Sequence, residues 1–88
     1  MLSHRIKIFG DVQGVGFRSA AARTAARFNL RGWAKNSSDG NVEILIQGPK
    51  AGVDGFIDWC RVGPPHARVT KTMNEPVESD PLQGFQII

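Results

Sequence analysis

A change of hydrophobic period across a glycine-rich junction constrains this chain more than any other feature. Residues 4–9, His-Arg-Ile-Lys-Ile-Phe, alternate, with Ile6 and Ile8 on one face and Arg5, Lys7 and Phe9 on the other. That pattern predicts a half-buried strand. Gly10, Gly14 and Gly16 punctuate the loop that follows. From Phe17 the period lengthens, and Phe17, Ala21, Ala25 and Phe28 fall on one helical stripe, with Arg23 and Arg27 pointing away. The alanines favour helix. Asn29 suits a left-handed position just past the helix end.

Further along, residues 31–36 predict a short second strand, and Ser37-Ser38-Asp39-Gly40 a hairpin turn. Val42, Ile44 and Ile46 alternate with Glu43, Leu45 and Gln47 as a third strand. Gly48-Pro49 opens a second helix whose stripe is Val53, Phe56, Ile57 and Cys60, weakened locally by Gly52 and Gly55. Gly63-Pro64-Pro65 ends it. Residues 67–73 predict a fourth strand, 74–81 an acidic loop, and Phe85 and Ile87 a short last strand. The order is β-α-β-β-α-β plus a terminal strand. It predicts an α+β, ferredoxin-like split βαβ fold, with both helices on one face of a largely antiparallel sheet.

At 88 residues the chain is expected to form a single domain, 1–88. The start, Met1-Leu2-Ser3-His4-Arg5, turns charged at once, so no secretory signal is expected. Aliphatic runs reach only three residues, as in Ile44-Leu45-Ile46, where a membrane span needs about 20. With one cysteine and no internal disulfide, the expected location is cytoplasmic, the expected state a monomer, and no membrane partner is expected. Charge is uneven: residues 1–36 carry a net +6 and residues 37–88 a net −3. The basic half points to an anionic partner, a small phosphate or a nucleic acid. Arg23, Arg27 and Arg31 are read as a solvated helix face.

Two segments carry candidate chemistry. In Gly10-Asp11-Val12-Gln13-Gly14-Val15-Gly16-Phe17-Arg18, a strand passes through glycines into a helix N-terminus. Converging N–H groups and the partial positive charge of a helix start make an anion nest. Arg18 adds a planar guanidinium that can hold two phosphate oxygens. The same residues equally describe an ordinary tight turn with a surface arginine, and a glycine-rich loop alone does not choose between the two. The other segment is Gly32-Trp33-Ala34-Lys35-Asn36 with Asp39-Gly40, Val42 and Gly48. There Asn36 ends a strand beside a turn, where an asparagine also serves simply to shape the turn.

Together the segments resemble the two signatures of the acylphosphatase family. Gly-x-Val-Gln-Gly-Val-x-Phe-Arg is met at Gly10 to Arg18, and Gly-aromatic-Ala-Lys-Asn-x-x-x-Gly-x-Val-x-x-x-x-x-Gly at Gly32 to Gly48. Gly63-Pro64-Pro65-x-Ala67-x-Val69 resembles the family's passage into its fourth strand. Gly16 stands at a position where bulkier residues also occur. The resemblance implies an enzyme that hydrolyses the carboxyl–phosphate anhydride of acyl phosphates. In it, the backbone of Gln13, Gly14, Val15, Gly16, Phe17 and Arg18 cradles the phosphate, Arg18 clamps it, and Asn36 holds the attacking water. Similar modules form one end of longer hydrogenase-maturation proteins.

The chemistry fits so sparse a site. An acyl phosphate leaves behind a carboxylate whose acid has a pKa of about 4, so no general acid is required. No cofactor and no metal are expected, since His4 and His66 lack a ligand pattern. Cys60 lies on an apolar stripe and is read as core rather than nucleophile. Asp54 and Asp58 are read as a solvated face, and Trp33 and Trp59 as packing residues. Split βαβ domains also bind RNA on an open sheet face, and Phe9 and Trp33 could share that face with Arg5, Lys7 and Lys35. The third strand, however, lacks aromatic and basic residues and carries Glu43, so no nucleic-acid partner is expected.

Overall fold

Alternating aliphatic residues force the strands of this chain to present one apolar face, and two helices cover it. The structure is a computed structural model that describes residues 2–88. In chain order its elements are β1 (Leu2–Asp11), α1 (Phe17–Arg27), β2 (Arg31–Asn36), β3 (Val42–Gly48), α2 (Lys50–Cys60), β4 (Arg68–Pro76) and β5 (Phe85–Ile87). The sheet order is β4-β1-β3-β2-β5. Every neighbouring pair is antiparallel except β2 and β5, which run parallel. This is the ferredoxin-like arrangement expected from the element order.

Ile6, Ile8, Ala34, Val42, Ile44 and Ile46 form the buried sheet face. Phe17, Ala21 and Ala25 of α1 and Val53, Phe56 and Cys60 of α2 close over it. Each fully buried Val, Ile or Phe contributes about 1.5–3 kcal/mol relative to exposure. Trp59 packs between Phe17 and Phe56, with ring centroids at 5.3 and 5.6 Å, so the helix that begins at the glycine loop is pinned to α2. Gly52 and Gly55 weaken α2 as a helix but let Phe28 lie against it. A Cβ on Gly55 would sit 2.7 Å from the Phe28 ring. Helix α1 stops at Asn29, which takes the left-handed conformation expected of it (φ 59°). The Leu30 N–H reaches the Ala25 carbonyl at 2.9 Å and the Asn29 N–H reaches Ala26 at 3.2 Å, a Schellman closure.

Three expectations need correction. Arg31 is not on a helix face: the helix ends before it, and Arg31 opens β2 and donates from Nη1 to the Leu82 carbonyl at 3.3 Å. Strand β1 runs beyond residues 4–9 at both ends, and β4 continues through Asn74, Glu75 and Pro76, residues expected to lie in a loop. Their partners on β1 are Ile6, Arg5 and His4. Pro76 is tolerated because β4 is an edge strand and Pro76 ends it. Gln47 shares the open face with Glu43 and Leu45, yet it is only 1% exposed. The β4–β5 connection folds over it: Gln47 Nε2 donates to the Ser3 hydroxyl and to the Asp80 carbonyl, each at 3.1 Å. Its Oε1 accepts the Leu82 N–H at 2.8 Å.

On the rest of the open face the cations are largely paired. Arg5 donates from Nε to Glu43 at 2.6 Å and Lys7 meets Asp39 at 3.0 Å. Lys35 lies over Trp33 at 5.3 Å, which gives that ring a local partner. Asp54 and Asp58 are solvent-facing and paired with Lys50 of the same helix and with Arg61 just past its end. No helix among the described residues is long and apolar enough to cross a membrane.

Candidate active site

At one end of the sheet the chain leaves β1 at Asp11, runs through residues 12–16, and enters α1 at Phe17. Gly14 and Gly16 both take φ 76°. A Cβ at either would meet nothing, so the demand there is for backbone conformation and not for space. The alternation of left-handed glycines turns successive amides to one side. Helix α1 starts with no side-chain cap and no acid in its first turn. Its first recorded bond is the Ala20 N–H to the Gly16 carbonyl at 3.0 Å. Among the described residues, no backbone N–H from 13 to 19 donates to a protein acceptor. The loop therefore offers a run of free donors at the positive end of a helix.

Those residues border a small hollow of about 90 Å³ lined by Val12, Gly14, Gly16, Phe17, Arg18, Ser19, Asn36 and Ile87. Drug-sized ligands occupy about 300–1,000 Å³, so this hollow suits a single small group. Arg18 is half-buried beside it. Its Nη1 donates to the Ile88 carbonyl at 3.2 Å, just past β5. It makes no ion pair with Asp or Glu among the described residues. The remaining guanidinium donors keep their fork geometry for an anion. Asn36 ends β2, opposite Val42, and enters the same hollow from the other side of the sheet end. Its carboxamide has no hydrogen-bond partner among the described residues and so keeps both donor and acceptor free.

Of the residues expected at the site, the fold brings Gly14, Gly16, Phe17, Arg18 and Asn36 together around the hollow. Gln13 and Val15 do not line it. Val15 packs against the core, and the Gln13 side chain crosses to the β2–β3 turn. Sequence reasoning missed Ser19, Ile87 and Ile88. Ser19 was legible in principle, because it follows Arg18 in the first helical turn. Ile87 and Ile88 arrive only through the parallel pairing of β5 with β2. A larger hollow of about 260 Å³ lies on the open sheet face between Arg5, Lys7, Glu43, Met73, Asn74 and Glu75. Paired charges line it and no free donors converge there, so it offers less chemistry than the smaller one. Cys60 is buried, and burial pushes its thiol well above its usual range, which removes it as a nucleophile. Among the described residues no group of three or more His, Cys, Asp or Glu could hold a metal ion.

Comparison with known proteins agrees with this geometry. The acylphosphatase family model matches residues 4–87. An acylphosphatase of Burkholderia cenocepacia is 49% identical over 85 residues, 96% of this chain and 87% of that protein. The crystal structure of the acylphosphatase of Bacillus subtilis superposes with a TM-score of 0.96 at 38% identity, covering 100% of this chain and 99% of that one. A structure of full-length HypF matches 99% of this chain at a TM-score of 0.91 and 31% identity, over only 12% of its own length. A glycine loop with free amides, a family model spanning nearly the whole chain and close full-length relatives lead to one assignment: the chain belongs to the acylphosphatase family, enzymes acting on acyl phosphates.

Proposed function

We propose that the amides of residues 13–18 and the Arg18 guanidinium hold the phosphoryl group of an acyl phosphate, while Asn36 holds the water that attacks it. The observation that carries this reading is a loop of unbonded amides whose Gly14, Gly16, Phe17 and Arg18 line the same hollow as the free carboxamide of Asn36. The water oxygen forms a new bond to phosphorus. The phosphorus–oxygen bond of the anhydride breaks, and the carboxylate departs with the electron pair. The water's proton passes to a phosphoryl oxygen. Carboxylate is a good leaving group, so the protein's task reduces to positioning and to stabilising charge on the phosphoryl oxygens. Amides and a guanidinium supply this as fixed hydrogen-bond donors.

Hydrolysis of benzoyl phosphate tests the assignment of roles. Asn36 is neutral and adds little to phosphate affinity. Asn36→Ala lowers kcat by about 10²-fold or more while KM moves little. Inorganic phosphate still inhibits competitively, because the loop and Arg18 remain. A lower melting temperature with unchanged kcat per folded molecule would reduce Asn36 to a turn residue and sink this role.

A further inference from the structure

Gln13 belongs to the phosphate loop by sequence, but its side chain leaves the hollow and reaches the β2–β3 hairpin. Nε2 donates to the Ser37 carbonyl at 2.8 Å and to the Asn41 carbonyl at 2.9 Å. These carbonyls belong to the two residues that close the hairpin: the Ser37 N–H donates to Asn41 at 2.8 Å, and the Gly40 N–H to Ser37 at 3.1 Å. Ser37 directly follows Asn36. Both acceptors are carbonyls, and the NH₂ of a carboxamide has the two donors needed to serve both at once. Among the described residues no other hydrogen bond joins residues 12–16 to residues 36–41. The phosphate loop and the strand end that carries Asn36 are thus tied by one carboxamide. The tie is solvent-exposed, where water can replace a lost partner and the net contribution to stability is small.

We propose that Gln13 is a positioning residue whose carboxamide fixes the separation between the phosphate loop and Asn36, and through it the line of approach of the water to phosphorus. The proposal rests on the role given above to Asn36. A small misplacement of a reacting group is enough to lower a rate strongly even where affinity survives.

Two variants test it. Gln13→Met keeps the length and removes both donors; Gln13→Asn keeps the amide but is one methylene too short to reach both carbonyls. Each lowers kcat for benzoyl phosphate by about tenfold, with KM and the inhibition constant of phosphate within about twofold. Melting temperature, measured on the same samples, corrects each kcat to folded protein. In an Asn36→Ala background Gln13→Met changes kcat by less than about twofold, because the water is no longer held. An unchanged kcat in Gln13→Met, wild-type kcat in Gln13→Asn, or fully additive losses in the double variant would overturn the proposal. Additive losses alongside a large Asn36→Ala effect remove only the Gln13 role. An Asn36→Ala variant with intact kcat removes both roles.

Discussion

Two glutamines hold the two ends of the sheet by the same device, a carboxamide bonded to the main chain of a neighbouring connection. Gln47 does so under the β4–β5 connection and is almost fully buried. Gln13 does so in solvent, between the phosphate loop and the β2–β3 turn. Removing a buried amide strands its partners away from water, whereas removing an exposed one lets water take its place. The same bonds therefore maintain stability at one end and geometry at the other.

The largest expected effect sharpens the functional end. Arg18→Ala lowers kcat/KM by at least about 10²-fold, roughly 3 kcal/mol, as for the loss of one strong transition-state donor. Its melting temperature stays near that of the wild type, since among the described residues the Arg18 side chain makes a single hydrogen bond, to Ile88. Arg18→Lys rescues poorly because an ammonium cannot reproduce the bidentate fork. Activity close to wild type in Arg18→Lys would refute that fork.

Next in size is Gln47→Leu at the opposite end. It leaves the Leu82 N–H and the Asp80 carbonyl without their partner and costs about 2 kcal/mol of stability. In thermal melts the variant is clearly destabilised, while kcat per folded molecule is unchanged. A kcat loss as large as that of the Gln13 variants would break the contrast between the two ends.

The smallest effect concerns Asp39 in the turn beside Asn36. The hydrogen bond from Lys7, followed by the Asn41 N–H, holds its carboxyl below the ordinary 3.8. A carboxyl depressed by folding stabilises the protein above its unfolded value, and that contribution is lost as pH falls through the folded value. Asp39→Asn therefore melts slightly below the wild type at pH 6, and the gap closes as the pH drops below about 4. A gap that does not shrink as the pH is lowered would show that the pairing with Lys7 is not its source.

Much of this architecture was legible because alternation and helical period report which face is buried, and burial set the fold. Ile6 with Ile8, Val42 with Ile44 and Ile46, and the stripe ending in Cys60 all lie where their spacing predicts. Asn29 marked the helix end correctly, and that same stop is why Arg31 could not share a helix face with Arg23 and Arg27. Composition misled at Asn74 to Pro76, where an acid and a proline suggested a loop but an edge strand tolerates both. At the site, Arg18 and Asn36 were legible through motif spacing. The Gln13 and Gln47 side chains were not, because each acts on main chain 24 or more residues away and no local pattern encodes that direction.

The parallel pairing of β5 with β2 also bears on how the molecule assembles. The β2–β3 hairpin closes over a few residues, but Arg18 finds the Ile88 carbonyl across 70 positions of chain. Closing so long a loop is entropically slow, and sheets whose neighbours are distant in sequence fold slowly. The hairpin that carries Asn36 can form early, whereas the guanidinium beside it is tethered only after β5 docks. In a refolding reaction, native helix packing around Trp59 would then precede the recovery of full catalytic competence.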